Sequence, residues 1–179
     1  MSKNNIQKNY LGQQAGFTLL ELVIVVFIIG TLSGLVLANH RSGQKKYALS
    51  QTTQQLVSDL RKVQNMAMSG VDIEGQYYGY GIYIRRLDSV VYYRIYADKD
   101  GDSKYDSDES LETVNLPEGI EIKSTSPASK VDVFFRSPEP ITYINAPASV
   151  NPGTITLELE GTSSTKTITI TTAGLIYSN

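Results

Sequence analysis

The order of residues predicts an α+β protein: one long N-terminal helix packed on an all-β antiparallel head. Three observations predict it. Residues 17–38 form an apolar run with a single charge, residues 39–70 carry apolar side chains at helical spacing, and residues 71–179 break into short runs rich in Tyr, Val, Ile and Thr. With the basic segment 1–16 ahead of them, these three stretches give the chain four parts.

The apolar run reads FTLLELVIVVFIIGTLSGLVLA, and its one charge is Glu21. As a helix rising ~1.5 Å per residue it spans roughly 33 Å, enough for a hydrocarbon core of ~30 Å. A secretory signal would place small residues after the apolar stretch, whereas here Ala15-Gly16 precede it. The run therefore reads as a membrane helix. Charge does not orient it, because Arg41, Lys45 and Lys46 beyond the helix compete with Lys3 and Lys8 ahead of it.

Glu21 demands an explanation, since an ionised carboxylate in a bilayer costs a few kcal/mol. One reading is snorkelling, because Glu21 lies only four residues into the run. The sharper reading is a cut between Gly16 and Phe17, which would place a new α-amine one helical turn away, able to neutralise Glu21 in the same chain or across to a neighbour.

The string Gly16-Phe17-Thr18-Leu19-Leu20-Glu21, followed by an unbroken apolar helix, resembles the leader of type IV pilins and of the pseudopilins of type II secretion. The resemblance implies that residues 1–16 are a leader removed by a prepilin peptidase at the cytoplasmic face. Gly16 is then the residue before the cut, Phe17 the methylated new terminus, and Glu21 the carboxylate that aligns subunits during filament growth. It also implies a cytoplasmic N-terminus before processing and a head outside the cytoplasmic membrane. Implied partners are other pilin or pseudopilin subunits, the prepilin peptidase, the inner-membrane assembly platform and, before assembly, membrane lipid. Gly30 and Gly34 form a GxxxG pair that suits close helix packing. Many relatives carry a proline a little further on, where this chain has Leu37-Ala38-Asn39.

Past the membrane, Leu49, Leu56, Leu60, Val63 and Ala67 form the stripe of an amphipathic helix, expected to run to about Ser69 and to stop at Gly70. The stripe reads as core against the head. Strands are then expected at 78–84, 90–95, 119–123, 131–136, 140–145, 153–160, 165–171 and 174–178. Eight or so strands in this length predict an antiparallel sandwich or strongly curled sheets. A helix followed by an all-β head of this size is similar to the GspH/FimT group of pilin-like proteins, as is the ending Thr167–Ile176 with its glycine turn at Gly174.

The segment Asp98–Glu109 is the second informative feature. Read as a twelve-residue calcium loop it supplies Asp98, Asp100, Asp102, Asp106 and Glu109, with Lys104 contributing its backbone carbonyl. Ser103 stands where an EF-hand has glycine, and no helix is expected on either side. The alternative reading is a solvated acidic hairpin, since Asp-Gly marks a turn without any metal.

Composition narrows the remaining classes. The 179 residues contain no cysteine, which excludes disulfides and Cys-ligated metal or redox centres. The one histidine, His40, lies beside the membrane helix, and there is no phosphate loop, zinc spacing or dinucleotide fingerprint, so no enzyme is expected. Residues 71–179 carry nine bases against sixteen acids, giving no positive field for nucleic acid. The expected function is a structural subunit, a minor pilin or pseudopilin. The alternatives are a DNA-uptake minor pilin and a membrane-anchored calcium-binding surface protein.

Overall fold

The computed structural model describes residues 16–70, 77–86, 92–139, 141–147 and 151–179, with backbone alone at 37–42. Residues 1–15, with Lys3 and Lys8, lie outside the described residues, as do Val90 and Val91 at the start of an expected strand and the side chains of His40 and Arg41. The chain divides into two units, residues 1–41 and 42–179.

Helix α1 covers Leu19–Met68. In the first unit the large apolar side chains from Leu19 to Val36 are all exposed, between 48% and 81%. The stretch Leu19–Val36 is long and apolar enough to cross a membrane. Thr31 turns its hydroxyl back onto the carbonyls of Phe27 and Ile28, at 3.0 and 2.9 Å, so its polar group is satisfied within the helix.

In the second unit α1 is one-sided. Leu49, Leu56, Leu60, Val63 and Ala67 are each at most 3% exposed, as their spacing predicts. Thr52 and Thr53 share that buried face because their hydroxyls bond the carbonyls of Ala48 and Leu49. The helix ends at Met68, one residue before the expected limit, and Gly70 follows at φ +60°, where a side chain would be strained.

Among the described residues the head has nine strands: β1 Gly79–Arg85, β2 Tyr92–Asp98, β3 Ser110–Asn115, β4 Ile120–Ser126, β5 Lys130–Arg136, β6 Thr142–Ile144, β7 Gly153–Leu159, β8 Thr165–Ile170 and β9 Ile176–Ser178. They make two sheets with antiparallel pairing throughout, ordered β3-β2-β1-β5-β6 and β4-β7-β8-β9. One hydrophobic cluster joins α1 to both sheets, with Ile82, Ile95 and Val133 from the first and Ile155, Leu157 and Ile168 from the second. The architecture is α+β and pilin-like, a helix on antiparallel all-β sheets.

Eight of the nine strands fall where sequence placed them. The exception is β3, which was not expected. Its residues Ser110-Leu111-Glu112-Thr113-Val114-Asn115 are exposed apart from a half-buried Val114. At an edge with neither face fully covered, a strand needs no alternation of apolar residues, so the pattern that reveals the others is absent.

Polar ties fix α1 to each sheet. Asp59, only 7% exposed, accepts hydrogen bonds from the Tyr93 hydroxyl and from Gln55. On the other sheet, Arg61 and Gln64 donate to the carbonyls of Ile176 and Gly174.

Two glycines in β1 allow the outer face of the five-stranded sheet to carry large rings. A Cβ at Gly81 would overlap the Tyr96 ring, and one at Gly79 would overlap Phe134 and the Phe135 carbonyl. Gly81→Ala should therefore cost roughly 1–3 kcal/mol by overpacking. Leu60→Ala, which opens a cavity in the core, should cost roughly 2–5 kcal/mol. Chemical denaturation of the full chain in detergent measures both, and native-like stability of Gly81→Ala would contradict the packing described.

Candidate functional sites: the N-terminal motif and the acidic loop

Gly16, Phe17 and Thr18 precede α1 without helical structure. Phe17 is 83% exposed, so the peptide bond after Gly16 lies in an accessible, non-helical segment. Thr18 starts the helix by capping it: its hydroxyl accepts the Glu21 N–H at 3.2 Å and its carbonyl the Leu22 N–H at 3.2 Å. Thr18 thus has a structural task at the helix start that the motif reading did not assign. Glu21 is exposed, in the first turn of an otherwise apolar helix. Around Gly30 and Gly34 nothing lies within 4 Å of where a Cβ would sit, so both present open backbone.

The acidic loop is built by the end of β2 and the start of β3. Asp98 is completely buried, and its two carboxylate oxygens accept the N–H groups of Gly101 at 2.7 Å and Ser103 at 3.0 Å. Asp100 accepts from Asp102 N–H and Asp102 from Lys104 N–H, each two residues on, which winds the chain tightly. Ser103 sits at φ +63°, the left-handed conformation that the sixth position of a calcium loop requires, although a serine occupies it. Asp98, Asp100 and Asp102 bring carboxylate oxygens within 4.8 Å of one another.

The rest of the expected ligand set is arranged differently. Glu109, 3% exposed, spends one oxygen on Lys99 N–H at 2.7 Å and the other on Asp106 N–H at 3.2 Å, so it closes the loop as a structural brace. Among the described residues, Asp106 and Glu109 are not in the cluster that gathers the three aspartates. The reason is local: a short 3-10 turn at Ser107–Glu109 directs the glutamate back to backbone amides. Residues able to hold a hard cation are therefore Asp98, Asp100 and Asp102, a smaller set than spacing alone implied. The Lys104 ammonium lies 2.9 Å from Asp102 and offsets part of the charge.

Tyr105 straps this loop to the outer face of the five-stranded sheet. Its N–H donates to Asp132 at 3.0 Å, its ring stacks on Tyr83 with centroids 4.6 Å apart, and its hydroxyl accepts from Arg94 at 2.8 Å. Sequence reading missed Asp132 and Tyr105, because their partnership joins positions 27 residues apart. An Asp inside a run of Val and Phe was the one available signal.

Burial dominates the electrostatics here. It pushes the Asp132 carboxyl up to about 6, against the lowering effect of hydrogen bonds from the Tyr96 hydroxyl and Tyr105 N–H. Asp98 and Glu109 are raised for the same reason, each opposed by the two backbone N–H groups it accepts.

In comparison with known proteins, a family profile described as the prokaryotic N-terminal methylation motif matches residues 11–37. No curated protein and no solved structure matches the chain. The motif and the apolar helix at residues 19–36 support a type IV pilin-like protein of the prepilin class, processed by prepilin peptidase. They point to a membrane-anchored structural subunit that associates with other pilins.

Asp132 sets a pH dependence with a definite sign. Its folded-state value lies above the ordinary 3.8, so the folded chain binds the proton more tightly than the unfolded one. This contribution is fully present below pH ~4 and is lost as pH rises to ~6, an effect on the order of 3 kcal/mol. Asp132→Asn should flatten that part of the profile. Melting curves between pH 4 and 7 measure it, and an unchanged slope would count against the assignment.

Proposed function

We propose that the chain is a minor pilin or pseudopilin of GspH/FimT type, a structural subunit of a type IV pilus or a type II secretion pseudopilus. The observation that carries this reading is the methylation motif at residues 11–37, which leads into a helix whose large apolar side chains from Leu19 to Val36 are all exposed. Such a helix needs lipid before assembly and other helices after it. In this reading prepilin peptidase cuts after Gly16, Phe17 is methylated, and the inner-membrane assembly platform draws the helix from lipid into the filament core. Before processing the chain is a single-pass membrane protein with its N-terminus in the cytoplasm and its head outside.

Glu21 follows from the same physics. Inside a bundle of apolar helices its carboxylate needs a cation, and the α-amine of a processed neighbour supplies one. Further along the helix, Gly30 and Gly34 let neighbouring helices approach closely.

Mass spectrometry of the mature chain should find a methylated Phe17 at the N-terminus. Glu21→Ala should still be processed, yet drop at least about tenfold in sheared filaments, a loss of ~1.4 kcal/mol or more. An intact 1–16 segment, or normal incorporation of the variant, refutes the reading.

The acidic loop supports a second, separable proposal, that Asp98, Asp100 and Asp102 with the Lys104 carbonyl take a calcium ion. The left-handed Ser103 favours it by giving the loop the turn that such a site needs. Calcium should raise the melting temperature of wild type and leave Asp100→Asn with Asp102→Asn unmoved. No shift of wild type at millimolar calcium would end the proposal.

A further inference from the structure

One turn of α1 is left uncovered where the second unit begins. Every residue from Gly43 to Tyr47 is exposed, Tyr47 at 71%, and Leu49 at 3% is the first side chain of that unit to enter the core of the head. The turn carries Lys45 and Lys46, and none of the ion pairs among the described residues involves either. Their own helix offers no acid: residues 22–58 contain no Asp or Glu, and the first acid beyond, Asp59, is buried against Tyr93 and Gln55. In the sequence Arg41, four residues before Lys45, adds a third base to the same acid-free stretch.

Place in the chain supplies the occupant. Lys45 follows Ala38, the last residue of the apolar run, by seven residues, about 10 Å of helix and never more than about 25 Å of chain. The headgroup layer on each side of a hydrocarbon core is about 5–8 Å thick. A lysine carries its charge on a flexible four-carbon stem, which lies along apolar surface while the ammonium stays among polar groups, so both ammoniums come within reach of lipid phosphates. Tyrosine favours the same boundary, with its ring toward hydrocarbon and its hydroxyl toward water. A polyanion in solution fits less well, because residues 71–179, with sixteen acids against nine bases, repel it. The bilayer, by contrast, is tethered to the turn by the span itself.

We infer that the Gly43–Tyr47 turn is a docking surface for anionic phospholipid headgroups in the bilayer that holds residues 19–36. Each ammonium near a negatively charged surface strengthens the contact about fivefold, and Tyr47 settles beside it at the hydrocarbon edge. The contact holds the start of the head at the membrane while the subunit is in lipid, and it is given up when the helix leaves. Lipid charge therefore acts on the pool of subunits waiting to assemble. The inference rests on the membrane-anchor reading and adds to it the chemistry of the lipid; it needs no filament.

The chain has no tryptophan, so Tyr47→Trp places a single emitter on the turn and keeps an amphipathic ring there. The full-length variant is reconstituted into phosphatidylcholine vesicles with or without about 30% phosphatidylglycerol. Its emission is quenched from the bilayer by lipid brominated at the top of its acyl chains, and from water by acrylamide. The ratio of bilayer to aqueous quenching is expected to rise about threefold with phosphatidylglycerol and to return to the neutral-lipid value in about 0.5 M NaCl. Adding Lys45→Gln and Lys46→Gln should abolish the rise, while Lys45→Arg and Lys46→Arg should keep it, as charge requires and lysine packing would not. A ratio indifferent to phosphatidylglycerol, salt and charge removal overturns the inference even if the chain floats with the vesicles. A chain that does not float overturns the anchor reading and the inference with it. Reversal of the rise by inorganic phosphate or a short oligonucleotide at matched ionic strength assigns the lysines to a soluble anion and also overturns it. Asp88→Asn, at a position outside the described residues, should change nothing; a rise in neutral vesicles to the charged-vesicle value would mean that the chain itself holds the lysines, and ends the proposal.

Discussion

The second half of α1 can be a helix in water only because its apolar stripe is covered. Leu49, Leu56, Leu60, Val63 and Ala67 are the part of the core contributed by one helix, and both sheets are organised around them. Each sheet turns one face to that core and the other outward, which gives β7 its strict alternation of buried and half-buried residues. Where the hydrophobic stripe leaves polar groups inside, they are paired: Asp59 with Tyr93 and Gln55, and Thr53 with the Leu49 carbonyl. Such pairs add direction to a contact that apolar packing leaves non-directional.

A different solution handles the acids at the far end. Three carboxylates, Asp98, Glu109 and Asp132, are buried around the β2–β3 loop, and each takes two hydrogen bonds from N–H or O–H donors within the chain. Backbone amides do most of the stabilising, and burial still raises all three carboxyls above their usual range. The loop thereby keeps Asp100, Asp102, Asp106 and Asp108 outside while its frame is fixed from within. Asp98 belongs to both groups, framing the loop through two N–H groups while its carboxylate lies with those of Asp100 and Asp102.

Legibility in the sequence followed how local each signal was. The membrane helix, its single acid, the amphipathic stripe and eight strands were readable, because each depends on composition or spacing within a few residues. The N-terminal methylation motif was readable for the same reason. The edge strand β3 was not, because exposed pairing on one side leaves no periodicity. The loop was read as a twelve-position ligand set, and spacing alone did not show that both oxygens of its last acid accept backbone N–H groups, those of Lys99 and Asp106.

By itself the sequence determined that this chain has a greasy anchoring helix with a prepilin-type start, an amphipathic continuation and a β-rich acidic head without disulfides. These are properties of neighbouring residues and of totals, which no folding can change. Only the tertiary structure decided which residues share a surface. It laid the acidic loop across the outer face of the five-stranded sheet through Tyr105, Arg94 and Tyr83, and it joined Asp132 to Tyr105 and Asp59 to Tyr93. Strand register and helix packing set those neighbours, and both are resolved by burying the core as a whole rather than by any short stretch of chain.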